Sequence, residues 1–108
     1  MSFEVIIISP FEREVKHLAK KYKSLKSDLQ SFFEDISNNP LQGTPLGKDC
    51  YKIRLDISSK GKGKSGGARV ITCVKIIKSK IYMLAIYDKT EKEDISNIEL
   101  QKLLEYID

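Results

Sequence analysis

The sequence contains few of the residues on which common active sites depend. It has one histidine, His17, two cysteines and no tryptophan. A hydrolytic triad with a histidine base would have to use His17, and no Gly-x-Ser-x-Gly nucleophile elbow is present. One histidine and two distant cysteines do not match the ligand spacing of a zinc site. We therefore expect no metal site, no bound cofactor and no histidine-based hydrolase.

The cysteines and the apolar runs also limit the location of the protein. Cys50 and Cys73 lie in separate strand-like runs and form no Cys-x-x-Cys pattern, so we expect buried free thiols in a reducing cytoplasm. The aliphatic run "VIII" at residues 5–8 is too short for a secretory signal. No run approaches the roughly 18 apolar residues of a membrane span. The sequence predicts a cytoplasmic protein with no membrane association.

Positive charge is concentrated in the middle of the chain. The 108 residues carry a net charge of +4. Residues 1–46 are neutral overall, residues 47–87 carry ten basic and two acidic side chains, a net +8, and residues 88–108 carry a net −4. A cluster of this kind is typical of a protein that binds a polyanion, and a solvated lysine surface is the alternative interpretation.

The first half of the chain predicts a strand and two helices. Residues 2–9 alternate as a strand. Two amphipathic helices follow, each expected to begin at a capping box, "SPFE" at residues 9–12 and "SDLQ" at residues 27–30. The second helix should end before Pro40. The turn-rich "NNPLQGTPLGKD" that follows predicts a loop.

The second half predicts three strands and a short C-terminal helix. The strand patterns are "CYKIRLDI", "ARVITCVKII" and "KIYMLAIYD", and the last two should form a hairpin around residues 78–80. Further capping signals, "TEKE" and "SNIE", precede the final apolar residues. The chain therefore predicts one α+β domain over residues 1–108, with the N-terminal strand and an αα-hairpin packed on a mostly antiparallel sheet of about four strands.

The segment "SSKGKGKSGGARVI", residues 58–71, contains the letters GKS but does not fit a nucleotide-binding loop. A P-loop would need a glycine at the position of Ser58 and a helix after the motif, where the sequence has a strand pattern. We interpret the segment as a hairpin connection that its glycines make flexible. Lys60, Lys62 and Lys64 are then expected to make no fixed contacts and to attract a polyanion diffusely.

A basic and phenolic set remains as the candidate site. Alternation places Lys52 and Arg54 on one face of their strand, and antiparallel pairing would bring Arg69 close to them. Tyr87 and Lys89 end the fourth predicted strand. The alternative is that the three cations form the solvated face of a sheet whose other side is covered by helices, and that Tyr87 packs in the core or at its rim.

The whole chain resembles the RelE/ParE superfamily of bacterial type II toxins, and most closely the RelE-type, HigB-like ribosome-dependent mRNA interferases. The resemblance rests on the order of elements and on "DCYKIRL" at residues 49–55, "KGKGKSGGARVI" at 60–71 and "AIYDKTEKEDI" at 85–95. It implies a RelE-like fold and metal-independent cleavage of mRNA in the ribosomal A site. In that reaction the substrate's 2′-hydroxyl attacks the neighbouring phosphate, which leaves a 2′,3′-cyclic phosphate and a free 5′-hydroxyl.

The resemblance also implies a role for each member of the set. Lys52 and Arg69 match positions that stabilise the phosphate charge, and Lys89 matches a basic group that protonates the leaving group. Arg54 stands where the founding members carry a lysine proposed as general base. Because a guanidinium does not readily deprotonate, Arg54 is better suited to clamp the phosphate. The base is then Lys52, Lys89 or Tyr87, or is supplied by the ribosome, and Tyr87 is the nearest substitute for the family's base-stacking tyrosine.

The resemblance further implies partners. A cognate antitoxin is expected, containing a helix-turn-helix, with operator DNA contacted only through that antitoxin. Five lysines are the predicted contacts to the ribosome and mRNA: Lys48, Lys60, Lys62, Lys64 and Lys75. A ParE-like toxin that binds DNA gyrase without nuclease activity is the alternative within the same fold, and the cationic cluster argues against it. A nucleic-acid binder without catalysis is the third interpretation.

Overall fold

The structure is a computed structural model, and it describes residues 2–61 and 66–107. Within these residues, two helices and a short third helix are combined with five strands and the 3-10 turn at Ser58–Lys60. In chain order the elements are β1 (Glu4–Ile7), α1 (Ser9–Ala19), α2 (Leu25–Asn38), β2 (Thr44–Gly47), β3 (Cys50–Leu55), the 3-10 turn (Ser58–Lys60), β4 (Ala68–Lys75), β5 (Lys80–Asp88) and α3 (Asn97–Leu104).

The five strands form one mixed sheet in the order β1-β5-β4-β3-β2. Only β1 runs parallel to its neighbour, β5, and the other pairs are antiparallel. The predicted α+β fold with a mostly antiparallel sheet is therefore confirmed. The consecutive strands β2 to β5 are also neighbours in the sheet, as expected when strands are joined directly to the next strand in the chain.

The fifth strand, β2, lies where the sequence predicts a loop. Thr44 and Pro45 pair with Lys52 and Tyr51 of β3, and the register shifts between Pro45 and Gly47. A proline lacks the N–H that a central strand needs, but it is tolerated in an edge strand such as β2. The composition of this segment is that of a turn, but its hydrogen bonds to β3 hold it in a strand conformation.

Three of the four predicted capping boxes are wrong. Ser9 is already helical, because Ile8 still hydrogen-bonds to Met83 of β5 in extended conformation and takes the N-cap position itself. Residues 27–30 lie inside α2, which begins at Leu25. The box at residues 96–99 does form: Ser96 Oγ accepts from the Glu99 backbone N–H at 3.1 Å, and α3 begins directly after Ser96. The "TEKE" segment is not helical.

The core lies between the sheet and the first two helices. The helices contribute buried Phe11 and Leu18 from α1 and Leu25, Leu29 and Ile36 from α2. Strands β4 and β5 are buried along nearly their whole length, because α3 and the segment before it cover part of the opposite face. Among the described residues no helix is long and apolar enough to span a membrane.

The β4–β5 ladder contains a bulge beside a buried hydroxyl. Ile71 pairs with Ala85, and the next pair is Thr72 with Met83, so Leu84 is an extra residue in β5. Thr72 is fully buried, and its Oγ1 has no hydrogen-bond partner among the described residues. A buried hydroxyl without a partner has lost its hydration and gained nothing in return.

We therefore expect Thr72→Val to stabilise the fold by about 1–2 kcal/mol, because the methyl group removes the unsatisfied hydroxyl. Urea unfolding followed by circular dichroism measures the difference. Thr44→Val makes the same chemical change at an exposed edge position and should alter stability by less than about 0.5 kcal/mol. A loss of stability in Thr72→Val would show that the hydroxyl is satisfied.

Candidate functional site

The strand register sets two arginines and a tyrosine side by side. Arg54 of β3 is directly opposite Arg69 of β4, and Arg69 is directly opposite Tyr87 of β5. We call these three residues the transverse row. Lys52 lies two residues before Arg54 and so projects from the same face. The predicted juxtaposition of Lys52, Arg54 and Arg69 is confirmed.

The two arginines are in the closer type of cross-strand pair. The Val74 N–H donates to the Asp49 carbonyl oxygen at 2.9 Å, which makes that position a hydrogen-bonded pair. Hydrogen-bonded and non-hydrogen-bonded pairs alternate along an antiparallel ladder. The register is unbroken between that position and Arg54, and the Arg54–Arg69 pair is five positions along the ladder. It is therefore a non-hydrogen-bonded pair, in which the side chains approach closely.

The arginines differ in exposure. Arg69 is 5% exposed, and its Nη1 donates to the Ala68 carbonyl oxygen at 3.1 Å, whereas Arg54 is exposed to solvent. Like charges directly opposite each other destabilise a sheet. An anion bound beside the two guanidinium groups would offset that cost, and guanidinium groups match the geometry of phosphate oxygens.

A carboxylate of the chain already binds beside the transverse row. Asp94 lies in the segment between β5 and α3. Lys52 Nζ is 3.4 Å from both carboxylate oxygens, and the Tyr87 hydroxyl donates to Oδ1 at 3.3 Å. The hydrogen bond from the Ile95 N–H is the main reason that the pKa of Asp94 lies below its usual range. Burial raises this pKa, and the contacts from Lys52 and Tyr87 lower it further. This position therefore accepts an anion.

Tyr87 is a hydrogen-bond donor at neutral pH. Burial, and then the charge of Asp94 and the hydrogen bond to it, raise the pKa of Tyr87 to about 12. Lys92 Nζ lies 5.6 Å from the centre of its ring. The phenol therefore keeps its proton, so it can donate a hydrogen bond or a proton but is poorly suited to remove one.

Lys89 lies just beyond the end of β5 rather than within it. Its side chain is exposed, and its backbone N–H donates to the Gly67 carbonyl oxygen at 3.4 Å. That bond places Lys89 beside the start of β4, close in sequence to Arg69. Lys89 thus borders the end of the sheet that carries the transverse row.

The expectation that Lys60 makes no fixed contact is wrong. Its Nζ is 2.9 Å from Asp88 Oδ1 and 5.1 Å from the centre of the Tyr22 ring. The side chains of Lys60 and Asp88 are 7% and 0% exposed. Sequence reasoning missed this ion pair because Asp88 ends an apolar strand pattern, and only the fold shows that it faces the helices. Lys62 and Lys64 lie outside the described residues.

Asp88 collects donors from three separate parts of the chain. The Tyr22 hydroxyl donates at 2.5 Å, and Thr90 donates through its N–H at 3.0 Å and its hydroxyl at 2.8 Å. Burial alone would raise the pKa of Asp88, but the bonds from Tyr22, Thr90 and Lys60 outweigh it and hold the pKa far below its usual range. The carboxylate is therefore charged in the folded protein.

A second acidic side chain fixes the 3-10 turn to α2. Asp28 accepts from the Ser58 N–H at 2.9 Å and from the Ser58 hydroxyl at 2.7 Å. Ser24 Oγ donates to the same carboxylate at 2.7 Å and accepts from the Ser59 N–H at 2.8 Å. The beginning of the glycine–lysine segment is thus held in place before the undescribed residues.

The remaining predicted RNA contacts lie elsewhere. Lys48 is exposed in the β2–β3 turn with φ of 54°. Lys75 ends β4 and pairs with Asp49 at 3.4 Å. Both are at the opposite end of the β3–β4 ladder from Arg54 and Arg69, so the structure does not bring them together with the transverse row. Their contact with RNA stays a prediction.

The fold and the cationic face define a small α+β domain with a candidate anion site, and comparisons with known proteins identify its family. A family model described as the RelE toxin of the RelE/RelB toxin–antitoxin system matches residues 11–107. The chain therefore belongs to the RelE toxin family.

Solved structures show the same fold at low sequence identity. A mutant of the Escherichia coli toxin RelE in the free state matches with a TM-score of 0.65 and 16% identity over 99% of both chains. Isolated E. coli RelE matches with a TM-score of 0.63 and 15% identity over 96% of this chain and 98% of that one. The toxin–antitoxin complex RelBE2 from Mycobacterium tuberculosis gives 0.61 and 16% over 82% and 99%.

Loss of the Lys60 ammonium should destabilise the fold strongly. Lys60→Met keeps the apolar stem but leaves Asp88 buried without its cation, and we expect a loss of about 3–5 kcal/mol. The matched control is Lys26→Met on the exposed surface of α2, with an effect below about 0.5 kcal/mol. Chemical denaturation measures both. Equal, small effects would show that the ion pair contributes little.

The same carboxylate should make stability fall in acid. Because the folded pKa of Asp88 is lowered, its stabilising effect is fully present above its unfolded pKa of about 3.9 and is lost as pH falls through the folded pKa. The urea midpoint of the wild type should therefore drop steeply below about pH 4. In Asp88→Asn the slope in this range should be smaller. An unchanged slope would contradict the assignment.

Proposed function

We propose that this toxin is a ribosome-dependent endoribonuclease that cleaves mRNA in the A site without a metal and so inhibits translation. The observation that carries the proposal is the anion position beside the transverse row, where Lys52 and Tyr87 bind the carboxylate of Asp94. A phosphate of the message would take this position, flanked by Arg54 and Arg69. The family relationship supports a toxin, and the site chemistry supports a phosphate-directed one.

The proposed reaction is an internal transesterification. The 2′-oxygen of the message attacks the adjacent phosphorus, and the bond to the 5′-oxygen of the next nucleotide breaks. Arg54 and Arg69 stabilise the extra negative charge of the phosphorane, and Lys52 contributes a third cation. Most of the rate enhancement would come from holding the attacking and leaving oxygens in line while these cations surround the phosphate.

The proton transfers are divided among the remaining groups. Because the raised pKa of Tyr87 keeps the phenol protonated, we assign Tyr87 to donation, either to a phosphate oxygen or to the leaving oxygen. Lys89 is the second candidate for protonating the leaving oxygen. Removal of the 2′-proton falls to Lys52, to Lys89 or to a group of the ribosome. Tyr87 is the least suitable base of the three that the sequence suggests.

The partners follow from the same proposal. The cationic surface would bind ribosomal and messenger RNA, with Lys48, Lys62, Lys64 and Lys75 supplying long-range attraction. Lys60 is the weakest of the five predicted contacts, because Asp88 already holds its ammonium. A cognate antitoxin with an acidic segment and a helix-turn-helix would block this surface and carry the complex to operator DNA. The site of action is the cytoplasm.

A translating extract tests the proposal directly. Purified protein should produce breaks within A-site codons that primer extension detects. Arg69→Ala should lower the single-turnover cleavage rate about 10²–10³-fold, since it removes one stabiliser of the transition-state charge. The control is Arg13→Ala on an exposed position of α1, which should cleave normally. Intact mRNA with folded wild-type toxin would refute the proposal.

A supercoiling assay distinguishes the ParE-like alternative. Inhibition of DNA gyrase without mRNA cleavage would favour a gyrase-binding toxin, which has no need for a phosphate site. Salt-dependent RNA affinity without cleavage, on or off the ribosome, would favour a nucleic-acid binder. Both outcomes leave the family membership intact and overturn only the reaction.

Removal of the competing carboxylate should strengthen RNA binding. Asp94→Asn weakens the contacts that Lys52 and Tyr87 make within the chain, so we expect severalfold tighter binding of a short RNA, measured by fluorescence anisotropy. Glu93→Gln makes the same charge change one residue away and controls for net charge. Equal tightening in both variants would show that Asp94 acts only through long-range charge.

A further inference from the structure

The two cysteines face each other across the sheet. Cys50 of β3 is directly opposite Cys73 of β4. Both thiols are free and their residues are 1% and 0% exposed. The carbonyl oxygen of Lys48 accepts from both sulfurs, at 3.4 Å from Cys50 and 3.8 Å from Cys73. Two thiols that share one acceptor are held on the same side of the ladder.

The strand register gives this pair the spacing of a disulfide. Because Val74 and Asp49 form a hydrogen-bonded pair, the next pair along the ladder, Cys50 and Cys73, is non-hydrogen-bonded. Cα atoms in such pairs are roughly 4.5 Å apart. Disulfides span Cα separations of roughly 4.4 to 6.8 Å. No movement of the backbone beyond small adjustments is required to join the sulfurs.

We propose that Cys50 and Cys73 form a reversible dithiol–disulfide site that peroxides oxidise. The two sulfurs face each other and share the Lys48 carbonyl oxygen. Either thiol can therefore react first with the peroxide, and the other then resolves the sulfenic acid.

The chemistry balances with one peroxide molecule. When Cys73 reacts first, its thiolate attacks one oxygen of hydrogen peroxide, the O–O bond breaks, and the hydroxide that leaves becomes water by taking up the Cys73 proton; the same steps hold with the two cysteines exchanged. This forms a sulfenic acid. The Cys50 sulfur then attacks the Cys73 sulfur, the S–O bond breaks, and the departing hydroxide leaves as water with the Cys50 proton. Two thiols are oxidised by two electrons, and peroxide is reduced to two waters.

A shallow cavity beside the pair offers the route for the oxidant. Its volume is about 320 Å³, and it is lined by Lys48, Asp49 and Lys75 together with Leu104 and Ile107 near the end of α3. Lys48 binds both thiols, and Asp49 and Lys75 lie close enough to influence their pKa values. Peroxide would reach the sulfurs through this cavity, and Leu104 and Ile107 would limit its access.

The bond would clamp the two strands that carry the cationic site. It would close a loop of roughly twenty residues that contains Lys52, Arg54 and Arg69. Closing such a loop restricts the unfolded chain and raises stability. Since the pair is at the far end of the ladder from Arg54 and Arg69, the arginines would keep their positions. The oxidised protein should therefore be more stable without a rearranged site.

Mass spectrometry of the full-length protein tests the site. Reduced wild type treated with an equivalent of hydrogen peroxide should lose the mass of two hydrogen atoms, and a nonreducing peptide map should link residues 50 and 73. Dithiothreitol should restore both thiols. The melting temperature of the oxidised form should rise by on the order of 10 °C. Cys50→Ala and Cys73→Ala should show neither the linked peptide nor the rise.

Other products would overturn the proposal. Disulfide-linked dimers, sulfinic acid without a linked peptide, or two free thiols after peroxide treatment would each show that the pair does not join. The wild-type peptide map decides the matter even if a cysteine variant fails to fold. Ile107→Ala should speed oxidation severalfold, and Ile77→Ala, at an exposed hairpin position, should not. Equal rates would overturn the proposed route.

Discussion

The buried carboxylate of Asp88 is the constraint on which the rest of the molecule depends. A charge taken out of water must be matched by several donors, and Asp88 obtains them from Tyr22, Lys60 and Thr90. These residues come from the α1–α2 junction, the 3-10 turn and the segment after β5. One carboxylate therefore joins parts of the chain that are far apart in sequence, and removal of any donor leaves the charge partly unsatisfied.

The contacts of Asp88 on the helix-covered face of the sheet also fix residues on the opposite face. Asp88 and Tyr87 are consecutive residues of β5, so their side chains point to opposite sides of the sheet. When Asp88 is held against Tyr22 and Lys60, Tyr87 is held in register with Arg69. The bonds from Thr90 turn the chain after β5, and the following segment brings Asp94 to Lys52 and Tyr87. The hydrogen bonds to Asp88 in the core therefore also fix the positions of Tyr87 and Asp94 in the candidate site.

Local sequence patterns correctly predicted the helices and strands that depend on residues close together in the chain. Alternation located β3 and placed Lys52 and Arg54 on one face. Runs of β-branched and apolar residues located β4 and β5, and the capping box at Ser96 located α3. Two features set by contacts across the fold were missed. Pro45 reads as a turn residue until β3 is beside it. Lys60 lies in a glycine–lysine segment whose composition predicts no fixed contact, and only the fold shows its ion pair with buried Asp88.

The uneven charge of the chain follows from the same arrangement. The acidic C-terminal part supplies partners to basic residues of the rest: Asp88 to Lys60, Glu91 to Lys21 and Asp94 to Lys52. These pairs differ in exposure, and only the first is buried. Exposed pairs contribute little stability and exchange readily with competing ions. In the proposed function the pair at Asp94 would yield to a phosphate, while the buried pair at Asp88 on the other face of the sheet holds the fold. Binding and stability then depend on opposite faces of the sheet.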